Sequence, residues 1–238
     1  MNETKDSNSK LIDIPNDWYS VLRPMIESPA FATLGKHIAQ ERRTKTIYPK
    51  KEDTFRAFRL TPLSKVVAVM IGMDPYPNTN QGLPVANGLA FDTDVPSYIP
   101  PSLRQIYNGV KECLYKDELT FPVDMNLKSW AEQGVFLINA ALTVEANRPG
   151  SHMQLWNEFT INLIKTIDEH THGVFFCFWG KDAQKFKHLV SDHNFVLTAS
   201  HPVSASYSGK NWECDHFKTI NDYLLKYNNY EIRWIKTA

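Results

Sequence analysis

Three residues set far apart in the 238-residue chain carry functional groups that complement one another: the carboxylate of Asp74, the amide of Asn139 and the imidazole of His201. An ionised carboxylate can orient or deprotonate water, an amide offers an acceptor and a donor side by side, and an imidazole donates or accepts near neutral pH. Tyr76 and Phe91 supply aromatic walls for a slot that would take a planar ring. Singly, each polar residue is commonplace. Asp74 before Pro75 is a turn initiator, Asn139 a satisfied polar group at a strand end, and His201 before Pro202 a loop histidine. Chemistry requires that the fold bring them together.

The elements around them predict that it does. Four apolar runs rich in β-branched and aromatic residues, VVAVMI (66 to 71), VFLIN (135 to 139), VFFCFW (174 to 179) and FVLTAS (195 to 200), read as strands covered on both faces. Between and after them lie helical spacings: Leu103, Ile106, Tyr107, Val110, Cys113 and Leu114; then Trp156, Phe159, Leu163, Ile164 and Ile167; later Phe217, Ile220 and Leu224. Ser151-His152-Met153-Gln154 has the form of a capping box, and Gly134 the form of a stop for the short LKSWAEQ helix. Alternating strands and helices predict an α/β fold, a three-layer α/β/α arrangement around a central, mainly parallel four-stranded sheet. Ligands of such sheets sit beyond the carboxyl ends of the strands. The four runs end at Asp74, Asn139, Gly180-Lys181 and His201-Pro202.

Composition narrows the class of protein. Lys+Arg and Asp+Glu balance at 26 each, so a polyanionic partner would have to be met by a local patch. Cys113, Cys177 and Cys214 stand far apart without a CxxC pair, which argues against a disulfide framework or a zinc ribbon, and His170 with His172 do not share a helical face for a metal. No apolar run approaches the ~18 residues of a membrane span, and the polar start lacks the form of a signal peptide. Residues 1–15 read as a flexible tail and 16–238 as one domain, with Lys50-Lys51 and Arg42-Arg43 solvated. The expected location is cytoplasmic, or the host cytoplasm or nucleus if the chain is viral.

The stretches GMDPYP, NGLAF, PPSL, NLKSWAEQGVFLINAALTV, GSH, FWGKDAQK, HPVSAS and CDHF occur in an order that resembles family 1 uracil-DNA glycosylases over roughly residues 45 to 225. The resemblance implies a DNA-repair enzyme that flips uracil out of single- or double-stranded DNA and hydrolyses its N-glycosidic bond. It implies no metal or cofactor, and a monomer whose protein partners would be a proteinaceous glycosylase inhibitor or a replication partner. It assigns Asp74 to the attacking water and the sugar cation, and His201 to the departing uracil. Met73 (through its backbone), Tyr76, Phe91 and Asn139 would bind the base, with Asn139 pairing to the uracil N3–H and O4 edge and Tyr76 excluding the thymine methyl group. Pro101, Ser102, Lys181, Ala205 and Ser206 would meet DNA; from the sequence, Ser102 serves equally well as a helix N-cap.

The chain departs from the family pattern in places. Pro77 stands where the first motif has a histidine, and the loop from Asp74 to Phe91 is a few residues longer than usual. Lys181 replaces a serine, Val203 replaces another, and Ala205 stands where a leucine enters the duplex, with Tyr207 as a more distal substitute. An alternative of another class is a glycosylase-fold DNA-binding module that tethers a replication partner with weak catalysis. An unrelated α/β hydrolase acting on a nucleoside fits the sheet but not the DNA-like loops.

Overall fold

The computed structural model describes residues 12–115, 123–124, 126–209 and 211–237. In chain order it runs α1 (Asn16–Ile26), α2 (Pro29–Thr44), β1 (Ile47–Tyr48), α3 (Arg56–Leu60), β2 (Ala68–Gly72), β3 (Thr79–Asn80), β4 (Leu83–Pro84), α4 (Pro101–Leu114), β5 (Val123–Asp124) and α5 (Lys128–Glu132). It continues through β6 (Val135–Asn139), β7 (Val144–Glu145), α6 (Met153–His170), β8 (Phe175–Trp179), α7 (Lys181–Gln184), β9 (Phe195–Ala199), α8 (Pro202–Ser208), α9 (His216–Asn228) and β10 (Lys236–Thr237).

The four apolar runs form the expected parallel sheet, in the order β6-β2-β8-β9. β2 is central, and its two neighbours are reached by crossovers to opposite sides, so a crevice opens at its carboxyl end. β2, β6 and β8 are buried along their whole length, as continuous apolar runs require. β9 is different. Of the two edge strands β6 is covered but β9 is not: its burial alternates and Val196 is 40% exposed, so the expectation of cover on both faces fails there. Phe195 faces inward, 4.7 Å from the ring of Phe175 and 4.9 Å from that of Tyr223.

The three helical spacings form α4, α6 and α9 with their apolar residues buried, except Cys113 and Leu114 in the last turn of α4, which are only partly covered. Gly134 ends the α5 turn in a left-handed conformation (φ 97°) with its N–H on Ala131 O. The expected capping box is absent. Ser151 instead accepts the Glu145 N–H at 2.9 Å, and α6 begins at Met153 without a side-chain cap.

Residues 1–11 of the expected tail lie outside the described residues, but its last part is attached to the core: Ile12 and Ile14 are buried. Trp18 follows them at zero exposure, its indole N–H donating to Thr61 O at 2.7 Å and its ring 4.8 Å from Phe136 of β6. Truncating such a side chain to alanine costs about 3–5 kcal/mol, so this segment is part of the fold. Arg42 also departs from expectation: half-buried, it donates to the carbonyls of Ile47 and Pro49 and ties α2 to β1.

Candidate active site

Because the sheet is parallel, the residues after each strand arrive at one edge. A cavity of about 360 Å³ opens there, within the range of small-molecule sites, and Met73, Asp74, Tyr76, Phe91, Asn139 and His201 all line it.

Asp74 follows β2 by two residues, and Pro75 turns the chain away behind it. Its Oδ2 accepts the backbone N–H of Gly150 at 2.6 Å. Burial raises the carboxyl above its ordinary value, the Gly150 N–H pulls it back, and the Asp182 carboxylate adds a smaller upward push. The hydrogen bond occupies one oxygen, which leaves Oδ1 for a water.

His201 caps α8, and its Nδ1 accepts the Val203 N–H at 3.2 Å. A nitrogen that accepts carries no proton, so the neutral ring bears its hydrogen on Nε2. Burial lowers the imidazole's pKa, only partly offset by Asp182, which agrees with that neutral form. Gly180 lets the ring approach: at φ 93° it follows β8 directly, and a Cβ on it would stand 2.9 Å from His201 Cβ.

Asn139 is paired in register with Gly72. A Cβ on Gly72 would meet Asn139 Oδ1 at 2.3 Å, so glycine makes room for the amide beside the slot. Phe91 sits at φ 67°, a conformation that costs a non-glycine residue about 1–3 kcal/mol and must be held by its surroundings. The Tyr76 hydroxyl donates to Phe91 O at 3.0 Å, and the next residue, the fully buried Asp92, accepts from Leu127 N and from the Asn87 amide. Burial pushes the Asp92 carboxyl up to about 6. The Phe91 ring, 5.3 Å from Trp179 and 6.0 Å from His201, thereby forms one wall of the slot. The Met73 side chain packs toward Gly150, where a Cβ would lie 3.2 Å from its methyl group, and its carbonyl accepts the Ala141 N–H.

The mouth holds the remaining expected residues. Ser102 lies inside the first turn of α4 rather than at its N-cap, which is Pro100; it is buried and lines the cavity together with Tyr76. Pro101, Lys181 and Ser206 are exposed. Ala205 is not. It is 8% exposed, on the same helical face as buried Pro202, and α8 packs against α4, so it cannot enter a duplex. Two residues on, about 200° around the helix axis, Tyr207 is 85% exposed. The longer loop between Asp74 and Phe91 folds as the β3–β4 hairpin, turning at Gln81 and Gly82, both with positive φ.

Gly150, His152 and Asp92 escaped the sequence reading. No periodicity marks them; Gly150 and His152 enter the sequence reading only within GSH, as one of the family's stretches and as part of the expected cap, and Asp92 only as the residue after NGLAF. Among the described residues no group of three or more His, Cys, Asp or Glu side chains is arranged to hold a metal, and no helix is long and apolar enough to cross a membrane.

A carboxylate on one wall, a neutral imidazole with an Nε2 proton on the other, and an aromatic slot with a free amide edge suit the cleavage of a bond to a planar leaving group. Positive charge on one fragment would meet Asp74 and negative charge on the other His201.

The profile of the Uracil DNA glycosylase superfamily matches residues 58–225. The chain is 38% identical over 219 residues to the uracil-DNA glycosylase of Buchnera aphidicola subsp. Acyrthosiphon pisum (strain Tuc7), covering 91% of this chain and 97% of that one. It is 41% identical over 222 residues to the uracil-DNA glycosylase of Yersinia pestis (strain Pestoides F), covering 91% and 94%. The crystal structure of mimivirus uracil-DNA glycosylase superposes with a TM-score of 0.84 at 27% identity, covering 93% of this chain and 87% of that one. A variant of that mimivirus enzyme in complex with UGI gives 0.85 at 27% identity, covering 94% and 89%.

Proposed function

The chain belongs to family 1 of the uracil-DNA glycosylase superfamily, and we propose that its uracil-excising chemistry runs in the cavity between Asp74 and His201. The enzyme removes uracil from DNA by hydrolysing its N-glycosidic bond, leaving an abasic site and free uracil. As the bond stretches, positive charge grows on the sugar and negative charge on the base. Asp74, ionised, faces the sugar and orients the water through Oδ1. His201 donates Nε2–H to uracil O2 and stabilises the leaving anion. Its tautomer is the observation that carries this reading, because Nδ1 is already committed to the Val203 N–H.

Asn139 reads N3–H and O4, Phe91 stacks on the ring, and Tyr76 closes the space at C5. Pro101, Ser102, Lys181 and Ser206 hold the flanking backbone, with Lys181 adding charge and salt dependence. The wedge is Tyr207 rather than Ala205: an exposed aromatic next to the site can fill the stack that the flipped base vacates. The enzyme acts as a monomer in the compartment that holds DNA, the cytoplasm of a cell. A protein inhibitor that covers the same mouth is a further partner, in keeping with the UGI complex of the mimivirus enzyme.

The test is incubation with a labelled uracil-containing oligonucleotide followed by alkali, which cuts at abasic sites. Wild type yields a cut strand and Asp74→Asn does not. Tight DNA binding with no cut by wild type would leave a DNA-tethering module instead.

A further inference from the structure

Among the described residues, the Gly150 N–H makes the only hydrogen bond to Asp74. What fixes Gly150 therefore sets the direction of the carboxylate. The turn that presents it, between β7 and α6, is braced by backbone bonds from Ser151 N to Arg148 O and from Met153 N to Gly150 O, and the Asn147 N–H reaches Pro77 O at 2.7 Å. Two residues after Gly150, the His152 side chain is 2% exposed and points away from the cavity into the protein. Its Nδ1 lies 2.7 Å from Thr143 Oγ1, which also accepts the Trp156 indole N–H at 2.7 Å. Its Nε2 lies 2.9 Å from Glu41 Oε2 on α2, in polar contact though not aligned as a hydrogen bond, and burial lowers the imidazole's pKa and so favours the neutral ring.

An imidazole so thoroughly buried, bridging α2 to the strand extension at Thr143, is far more than a loop needs merely to turn. We propose that His152 is a positioning residue for uracil excision: anchored between Thr143 and Glu41, it holds the Gly150 N–H against Asp74 so that the carboxylate keeps one oxygen free for water. The proposal rests on the assignment of Asp74 as the catalytic carboxylate. Around His152 the facing charged groups are Glu41 and His37 of α2, Lys45 directly after that helix, and Glu145 of β7; Lys45 Nζ bridges Glu41 at 2.6 Å and Glu145 at 3.1 Å, so the end of α2 and β7 are clamped together beside the imidazole. Around Asp74 the groups sharing the cavity are Lys181, Asp182 and His201.

The N–H of Gly150 favours the ionised carboxylate, so loosening it raises the Asp74 pKa. His152→Leu should therefore lower the single-turnover cleavage rate by about ten-fold or more, as a misplaced catalytic group does, while KM for the oligonucleotide changes less than about two-fold. The acid limb of its pH–rate profile should move to higher pH. His152→Gln, which keeps a donor toward Glu41, should fall between wild type and His152→Leu, and Glu41→Gln should shift the limb in the same direction. General loosening of the fold would reduce the active fraction without moving the limb, so a rate loss with an unmoved limb overturns the proposal, as do wild-type rate and limb in a folded His152 variant. If His152→Leu does not fold, the His152→Gln and Glu41→Gln profiles decide by the same criterion. Asp74→Asn is run in parallel: its retaining activity would overturn the underlying assignment, whereas its inactivity beside unaffected His152 variants would overturn the positioning role alone.

Discussion

Gly72 and Asn139 face each other across β2 and β6, and the space that a Cβ on Gly72 would fill is occupied by Asn139 Oδ1, 2.3 Å away. The absence of one carbon thus sets where the base-reading amide sits. Gly72→Ala should lower single-turnover cleavage of a uracil oligonucleotide by at least ~100-fold, the scale of losing one positioned donor in an active site. Its melting temperature checks that the sheet survives. Near-normal cleavage by this variant would mean that the amide's place does not matter.

Asp74→Asn and His201→Leu remove the groups proposed at opposite ends of the breaking bond, and each should lower the cleavage rate by at least ~100-fold with folding intact. A pH dependence follows from the same two groups. Asp74 acts ionised, and burial raises its pKa, so the rate should fall on acidification through a value above the ordinary 3.8. His201, its pKa lowered from 6.5 by burial, gains its proton only below that ordinary value. The pH–rate profile of wild type, compared with the residual activity of Asp74→Asn, checks the assignment: an acid limb that persists in Asp74→Asn belongs to another group.

Base choice should fail in two separable ways. Asn139→Asp offers no amide donor to O4 and, when protonated, an altered pattern at N3, so discrimination against cytosine should erode. Tyr76→Ala opens the C5 side and should admit thymine; it also removes the hydroxyl that holds Phe91 O, so the uracil rate should drop as well. Matched U, C and T oligonucleotides measure both. A Tyr76→Ala enzyme that takes cytosine but not thymine would contradict the geometry.

At the wedge, the buried position of Ala205 reverses the expectation drawn from its place in the motif. Ala205→Leu should not repair duplex cleavage; forcing methylenes into the α8–α4 contact should destabilise the protein by about 1–3 kcal/mol, visible in thermal melts. Tyr207→Ala should slow cleavage of U·A duplex by at least about five-fold, the low end of a base-stacking contact worth ~1–3 kcal/mol, and leave single strands nearly unchanged. Equal loss on both substrates would place Tyr207 in general DNA binding rather than base flipping.

Much of this protein was legible without coordinates. Strand runs, helical spacings and the residues closing each run are local properties, since side-chain periodicity and β-branching bias the backbone wherever they occur. A parallel sheet then carries the ends of its strands to one edge, so Asp74, Asn139 and His201 could be brought together by argument. Tertiary structure alone decided what depends on contacts between distant segments or on the direction a side chain faces. The Gly150 N–H meets Asp74 across 76 residues, and Glu41 meets His152 across more than a hundred, through geometry that no spacing encodes. Ser151 looked like a cap because capping is a local pattern, yet a longer-range partner, the Glu145 N–H in the folded loop, claimed its hydroxyl. Ala205 occupies the motif's wedge position, but the packing of α8 on α4 turns it inward and leaves Tyr207 facing out. Residue type states which chemistry is available, and only the packed chain states which atoms are left free to perform it.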